Sequence, residues 1–249
     1  MDLGLHDRVY IVTGGTSGLG RAGAQALVAD GARVVVSSRD ETKVTETVAS
    51  LGGPERAVGV VADNADPGTP EQLVSAAQTT WQRLDGALIS VGGPPPGTVM
   101  DTTDDQWRSA FESVFLGAVR LARAVAAELS AGGAIAFVLS TSVRSPIPGL
   151  AVSNGLRPGL AMVAKTLADE LGPAGIRVNG LLPGRISTQR TMELTPDEQV
   201  RRGIAETIPL RRFGDPEEFG QVAAFLLSPA ASYLTGVMLP VDGGALRTI

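Results

Sequence analysis

Short apolar segments alternate with longer helix-like segments along the whole of this 249-residue sequence. The apolar segments are RVYIVTG, ARVVVSS, RAVGVVA, GALISVG, GAIAFVLS, IRVNGLL and VMLPVDGG. The stretches that resemble helices lie at about 19–30, 40–51, 69–83, 104–130, 158–172, 190–206 and 216–227. The apolar segments are rich in β-branched residues on both faces, as parallel strands covered by helices must be. The alternation therefore predicts an α/β fold, a single doubly wound parallel sheet of the Rossmann type with helices on both faces.

Length and composition limit the classes of function. A hydrophobic content of 43% is enough for one core, so one domain over residues 1–249 is expected. The chain has no cysteine and its one histidine is His6, which excludes disulfides and argues against a metal site. A net charge of −5 without a basic stripe favours a small-molecule substrate over nucleic acid or a membrane surface. Neither a signal-like stretch nor a run of about 18 apolar residues is found, so a cytoplasmic location is expected.

A glycine-rich segment lies between the first predicted strand and the first predicted helix. Within VTGGTSGLG, Gly14, Gly18 and Gly20 have the spacing TGxxxGxG. Glycines allow a tight turn and a close approach of the backbone to a pyrophosphate, whose charge is met by the N-terminal end of a helix. The position of the glycines between strand and helix therefore predicts a dinucleotide-binding loop. Its other candidate contacts are Thr16, Ser17 and Leu19.

The end of the second predicted strand indicates which dinucleotide is bound. An NAD-type site places Asp or Glu there, against the ribose 2′-hydroxyl, whereas this chain has Ser38 and Arg39. A hydroxyl followed by a guanidinium suits a 2′-phosphate, because the planar guanidinium can hold phosphate through two hydrogen bonds. We therefore expect NADP(H) as the cofactor. The alternative is that Arg39 is only a solvated residue at the start of the second helix.

These motifs, together with LDGALISVGG, GAIAFVLSTS, ELGPAGIRVNGLLPGRIST and SYLTGVMLPVDGG, make nearly the whole chain resemble the short-chain dehydrogenase/reductase family. The resemblance implies an oxidoreductase with a nicotinamide dinucleotide, with Asp63 near the adenine and the PG segment after the sixth strand against the nicotinamide. The other residues that it implicates in cofactor binding are Asn64, Gly92, Pro183, Gly184, Ile186 and Thr188. The closing VDGG resembles the strand through which members associate, so a homo-oligomer, a tetramer or a dimer, is expected.

The resemblance fails at three catalytic positions. Members carry Asn, Ser, and Tyr with Lys four residues later, and here Ser140 matches the serine while Val114 stands at the asparagine position. Ser153 takes the tyrosine position and Arg157 the lysine position. A serine hydroxyl is a much weaker acid than a phenol, whose pKa is about 10, and arginine does not release its proton in proteins. We therefore expect Ser140, Ser153 and Arg157 to act as electrostatic donors, with Arg157 also beside the cofactor ribose.

A proline follows the altered pair. Pro158 lacks an N–H, so a helix running through 153–165 would leave the Asn154 carbonyl unpaired and crowd the proline ring, at a cost of about 3 kcal/mol. The helix is therefore expected to begin at about 155–157 or to bend there. Ser153 is then either a capping or loop residue, like Asn154, or a catalytic one.

Two functions from different classes stay open. The first is an atypical NADP(H)-dependent oxidoreductase that reduces a carbonyl or a conjugated carbon–carbon double bond of a small molecule, with fixed donors meeting the negative charge. The second is a non-catalytic NADP(H)-binding scaffold or sensor. Residues 187–213 lie where the family has its substrate lid, or otherwise form an exposed helical face. Arg144 and Arg185 either face the substrate, favouring an anionic one, or are solvated loop arginines.

Overall fold

The computed structural model describes residues 2–248 and contains one parallel sheet of seven strands. The strands are β1 Val9–Thr13, β2 Arg33–Ser38, β3 Ala57–Val61, β4 Gly86–Ser90, β5 Ala134–Val138, β6 Arg177–Pro183 and β7 Met238–Val241. Their order across the sheet is β3-β2-β1-β4-β5-β6-β7, and each neighbouring pair is parallel. The order changes direction between β1 and β4, so the predicted doubly wound parallel sheet is confirmed.

Helices cover both faces of the sheet. They are α1 Gly18–Ala29, α2 Glu41–Ser50, α3 Thr69–Trp81, α4 Asp104–Ala110, α5 Gly117–Glu128, α6 Ala151–Leu171, α7 Gln189–Leu194, α8 Glu198–Thr207 and α9 Pro216–Leu227. On one face α3, α5 and α6 form a core with the sheet, and on the other face α1 and α9 do so. No helix within residues 2–248 is both long enough and apolar enough to span a membrane.

The helix that carries the glycine loop packs tightly against the last helix. A Cβ atom on Gly220 of α9 would lie 2.4 Å from the carbonyl oxygen of Ala22 in α1. Only glycine allows the two helices to pack this closely, because a Cβ atom at that position would lie well inside van der Waals separation from the Ala22 oxygen. The start of α1 is therefore held in place by a helix about two hundred residues further along the chain.

The prediction of a single helix over 190–206 is wrong, because the structure has α7 and α8 there. The two helices are separated at Thr195 and Pro196. Proline lacks an N–H and disfavours helical geometry in the residue before it, so α7 ends there. Asp197 then caps α8 by accepting hydrogen bonds from two backbone N–H groups of its first turn.

The predicted start, at about 155–157, of the helix that is α6 in the structure is also wrong. Helix α6 begins at Ala151 and contains Pro158 in its interior, so Ser153 and Asn154 are helical residues and neither caps the helix. The Asn154 side chain secures this early start, because its amide donates to the Ile147 carbonyl at 2.9 Å and its oxygen accepts from the Ile147 N–H at 3.0 Å. These two bonds and the buried apolar side chains of the first turns offset the cost of the proline.

We expect Asn154→Ala to lower the free energy of unfolding by about 1–3 kcal/mol, because the Ile147 N–H loses its partner and the Ile147 carbonyl keeps only the Leu150 N–H. Urea denaturation followed by circular dichroism measures this change. Thr166→Ala, at an exposed position of the same helix, is the control and should change stability by no more than about 0.5 kcal/mol. Equal small changes in both variants would show that the amide does not stabilise the start of α6.

The helix predicted over about 104–130 is not one regular α-helix. A π-helical segment, Phe111–Leu116, joins α4 to α5, and it buries Val114 at the family's asparagine position. Glycines of α6 let the aromatic rings of this region approach: a Cβ on Gly155 would lie 2.9 Å from the Trp107 ring. The π-helical segment therefore sits directly against the part of α6 that carries Ser153 and Arg157.

Candidate active site

The glycine loop forms a backbone cradle at the start of α1. Gly14 and Gly18 have φ angles of +57° and +50°, and a Cβ on Gly20 would lie 2.3 Å from the Gly14 carbonyl oxygen. Ser17 precedes the helix, but its side chain forms no capping hydrogen bond. The first N–H groups of α1 are therefore not capped by that side chain, and the loop has the shape and polarity that suit a pyrophosphate.

A cleft of about 580 Å³ runs along the carboxyl ends of β1, β2, β3 and β4. Eight of the predicted cofactor-binding residues line it: Gly14, Thr16, Ser17, Ser38, Arg39, Asp63, Asn64 and Gly92. Gly18, Leu19 and Gly20 belong to the adjoining first turn of α1. The structure thus brings together residues from four separate strand ends, in a volume that suits a cofactor-sized ligand.

The cofactor-binding residues predicted at the end of β6 and just after it lie beside the glycine loop. Pro183 ends β6, Gly184 follows it, and Ile186 is buried. The methyl group of Thr188 lies 3.5 Å from the place that a Cβ on Gly18 would occupy. The Thr188 hydroxyl also caps α7, so this residue connects the glycine loop to the start of the segment predicted as the lid.

The end of β2 presents a hydroxyl and a guanidinium to the cleft. Arg39 is exposed and lies 3.8 Å from a carboxylate oxygen of Asp63, a contact that contributes little at the surface. The acidic residue that follows, Asp40, caps α2 by accepting the Lys43 N–H. That hydrogen bond lowers the pKa of Asp40. The carboxylate nearest in sequence is therefore used by the helix and does not line the cleft.

Two serines follow β5 in the region predicted to be catalytic. The Ser140 hydroxyl oxygen accepts the Ser142 N–H at 3.1 Å, and Ser140 is half-buried. Ser153 is buried on α6 with its hydroxyl 3.5 Å from that of Ser142. Ser142 was not among the predicted site residues. Its position two residues after Ser140 does not indicate that its hydroxyl will lie near that of Ser153 on a distant helix.

Arg157 is buried between two strand ends. Only 6% of it is exposed, and its guanidinium donates to the Val138 carbonyl at 2.6 Å and to the Val91 carbonyl at 3.5 Å. Burial, and to a smaller extent the charge of Arg190, lowers the pKa of Arg157 to about 10. The side chain thus stays cationic at neutral pH. Within residues 2–248 no carboxylate forms an ion pair with it.

A second arginine at this end of the cleft was missed. Arg190 projects from α7 and donates to the Pro94 carbonyl at 2.5 Å, and a Cβ on Gly93 would lie 2.6 Å from its guanidinium. The surrounding burial lowers the pKa of Arg190. In the sequence it belongs to a segment of mixed charge, and nothing there indicates a contact with the loop after β4.

The two arginines singled out in the sequence occupy other positions. Neither Arg144 nor Arg185 lines the cleft. Arg144 is exposed, while Arg185 is half-buried and its carbonyl accepts the Gly214 N–H. Arg157 and Arg190 do not line the cleft either, but both donate to carbonyls of the loop after β4, at Val91 and Pro94.

Neither tyrosine of the chain lies in the candidate site. Tyr10 is buried in β1, its hydroxyl donates to the Leu227 carbonyl, and burial raises the pKa of its phenol to about 12. Tyr233 is fully exposed beyond α9. A phenol displaced from elsewhere in the sequence therefore does not replace the missing one.

Comparisons with known proteins identify the class to which this fold and cleft belong. A family model described as enoyl-(acyl carrier protein) reductase matches residues 14–245. Dehydrogenase/reductase SDR family member 4 of Homo sapiens is 36% identical over 245 residues, which cover 96% of this chain and 88% of that protein. An uncharacterized oxidoreductase of Mycobacterium tuberculosis is 36% identical over 248 residues, covering 96% and 92%. The chain belongs to the short-chain dehydrogenase/reductase family, as its motifs predicted.

Solved structures agree with this assignment over the full length. L-sorbose reductase from Gluconobacter frateurii, in complex with NADPH and L-sorbose, superposes with a TM-score of 0.93 at 32% identity and covers 100% of both chains. A short-chain dehydrogenase/reductase from Brucella melitensis, a glucose/ribitol dehydrogenase, gives a TM-score of 0.94 at 29% identity and also covers 100% of both chains. The complete seven-stranded architecture is therefore that of the family.

Proposed function

We propose that this chain is an NADP(H)-dependent reductase of a small molecule, acting on a carbonyl or on a conjugated carbon–carbon double bond. The observation that carries the proposal is the end of β2, where Ser38 and Arg39 line the cleft while Asp40 is held as a helix cap. A 2′-phosphate fits this pair, and a bare 2′-hydroxyl lacks its usual carboxylate partner. The 32%-identical L-sorbose reductase was solved with NADPH, which supports the same preference here.

The cofactor would extend from the end of β3 to the end of β6. The uncapped first turn of α1 would hold the pyrophosphate, and Asp63 with Asn64 would lie at the adenine. The residues that would hold the nicotinamide carboxamide are Pro183, Gly184, Ile186 and Thr188. NADPH supplies a hydride when bound, and the protein must position the acceptor and stabilise the charge that develops on it.

Arg157 and Ser140 would provide that stabilisation. Arg157 is a fixed cation because its pKa of about 10 lies well above neutrality. Ser140 accepts the Ser142 N–H through its oxygen, which leaves its own O–H to donate to a substrate oxygen. When a hydride adds to the β-carbon of an enone, the negative charge spreads onto the carbonyl oxygen, where these donors would meet it, and water would protonate the α-carbon. This chemistry needs no phenol.

The outer parts of the site are proposed on similar grounds. We place the substrate lid at 187–213, which contains α7 and α8 and joins the nicotinamide end of the cleft through Thr188. We also propose a homo-oligomer, a tetramer or a dimer, that uses the region of Val241 to Gly244 after the edge strand β7. The chain would thus be a single domain over 1–249 whose function lies at one edge of the sheet.

A second function, a non-catalytic NADP(H)-binding scaffold or sensor, is favoured by one observation. Ser153 is buried against Ser142, and both tyrosines lie outside the site, so no side chain with a phenol is present there. A panel of enones, ketones and acyl thioesters tested for NADPH oxidation separates the two functions. Steady consumption of NADPH with any of them supports the reductase, whereas saturable calorimetric binding without consumption supports the scaffold.

Within the reductase, we expect Ser153→Ala to lower kcat by less than about 10-fold, because an aliphatic hydroxyl is too weak an acid to carry the proton. Removal of a true general acid or base costs about 10²–10⁴-fold, so the two cases are easily separated. Ser140→Ala should cost more than Ser153→Ala, since the Ser140 hydroxyl is the one that we propose donates to the substrate oxygen. Single-turnover kinetics with NADPH measure both. A collapse of the chemical step in Ser153→Ala with intact cofactor binding would contradict the proposed mechanism.

A further inference from the structure

Arg190 spans the distance between the proposed lid and the loop after β4. It belongs to α7, yet its guanidinium donates to the Pro94 carbonyl and lies against Gly93. Gly93 and Pro94 both line the cleft, immediately after Gly92. The exposed Arg190 side chain therefore borders the cleft through two of its lining residues, without itself lining it.

Two guanidinium groups converge on this single loop. Arg157 donates to the Val91 carbonyl, while Arg190 contacts Gly93 and Pro94, which lie two and three residues after Val91. The two guanidinium groups also interact electrostatically, since the charge of Arg190 contributes to the lowered pKa of Arg157.

Within residues 2–248, neither cation has a carboxylate at ion-pair distance. Glu193, one turn after Arg190, accepts instead from the Gln189 side chain. Glu193 is near enough to act electrostatically on Arg190 without pairing with it, so the two arginines leave a net positive region beside the loop after β4. A guanidinium has five N–H donors in a planar array, and a carboxylate satisfies two of them better than one backbone carbonyl does.

We propose that the substrate carries a carboxylate and that Arg190 binds it, so that the reductase acts on oxo-acids or unsaturated acids with a carbonyl. This inference rests on the proposed function and narrows its substrate class. The cofactor has separate positive groups for its own anions, namely Arg39 for the 2′-phosphate and the first turn of α1 for the pyrophosphate. Arg190 lies against Gly93, in the same loop whose Val91 carbonyl accepts from Arg157.

The test compares carboxylates with their neutral methyl esters. Acetoacetate, 4-oxopentanoate and phenylglyoxylate, each paired with its methyl ester, are titrated calorimetrically into the protein saturated with NADP⁺. The variant is Arg190→Gln, which removes the charge but retains an N–H donor for the Pro94 carbonyl. The control is Arg202→Gln, which removes the same charge from an exposed position of α8, where Arg202 pairs with Glu198.

The unmodified protein is expected to bind at least one carboxylate more tightly than its ester. Arg190→Gln should weaken the binding of that carboxylate by about 10-fold or more, while binding of the ester and of NADPH stays unchanged. Arg202→Gln should behave like the unmodified protein.

Two outcomes overturn the inference. In the first, the unmodified protein shows no preference for any carboxylate over its ester, whether both bind or neither does. In the second, Arg190→Gln either leaves carboxylate binding unchanged or weakens NADPH binding as strongly as carboxylate binding. The latter result would assign the arginine to the cofactor's pyrophosphate. Both outcomes are read from calorimetric binding and do not require the protein to turn over a substrate. The proposed reductase itself fails only when no acceptor, neutral or charged, supports NADPH oxidation.

Discussion

Replacing Arg39 with alanine is expected to weaken NADPH binding by about 10- to 100-fold and to leave NADH binding unchanged. Hydrogen bonding to a charged group contributes about 1.5–3 kcal/mol, and for the exposed Arg39 we assign that range to its whole interaction with a 2′-phosphate, which NADH lacks. Its present contact with Asp63, at 3.8 Å and exposed to solvent, is weak enough to be given up when the phosphate binds. Isothermal titration calorimetry at constant ionic strength measures the four dissociation constants, and salt must be fixed because it screens exposed charges.

Lys43→Ala is the matched control, since it removes a nearby exposed cation that pairs with Asp40 and does not line the cleft. That variant should bind both dinucleotides as the unmodified protein does. Equal or tighter binding of NADH by the unmodified protein, with no response to Arg39→Ala, would contradict the preference for NADP(H). Arg39 would then be a solvated residue at the start of α2.

The second large effect is expected at Arg157. Arg157→Met should lower kcat/KM by about 10²–10³-fold and weaken NADPH binding by about 10-fold, because it removes the buried cation that we propose stabilises the reacting oxygen. Activity of the unmodified protein should not fall between pH 6 and 9 on account of this residue, because its pKa is lowered only to about 10. The cation loses its charge only as the pH rises towards that value. Steady-state kinetics over this pH range measure both expectations.

Arg157→Lys provides the comparison that separates charge from packing. Lysine keeps the charge and can donate to the Val138 carbonyl, but burial lowers the pKa of a lysine from about 10.4 as well. Its activity should therefore decline on the alkaline side at a lower pH than that of the unmodified protein. Unchanged activity and cofactor affinity in a folded Arg157→Met variant would show that the arginine serves only to join the ends of β4 and β5.

The parts of the molecule that the sequence predicted are those set by local patterns. Runs of β-branched residues specify strands, and the TGxxxGxG spacing places Gly14 next to Gly20 because their backbones must touch. Strand ends in a parallel sheet meet at one edge, so Ser38, Asp63 and Gly92 could be assigned to one cleft from their positions after strands. The family assignment follows from the same motifs and is confirmed.

The parts that the sequence did not predict depend on contacts between distant side chains. The early start of α6 depends on the Asn154 amide binding a loop residue, Ile147, which outweighs the local cost of Pro158. The contact of Arg190 with Pro94 joins residues 96 positions apart. Tertiary contacts of this kind have no periodic signature, and the same holds for the meeting of Ser142 with Ser153.

The packing of α1 against α9 has a consequence for biosynthesis. The ribosome produces the glycine loop within the first tenth of the chain, but the surface that supports its helix, including Gly220, emerges only near the end. Until then Ala24 and Leu27 of α1 can pack against the early strands of the sheet, but the side of α1 that contacts α9 stays uncovered. Because contacts between such distant segments close late, α1 completes its packing only after α9 has been synthesised.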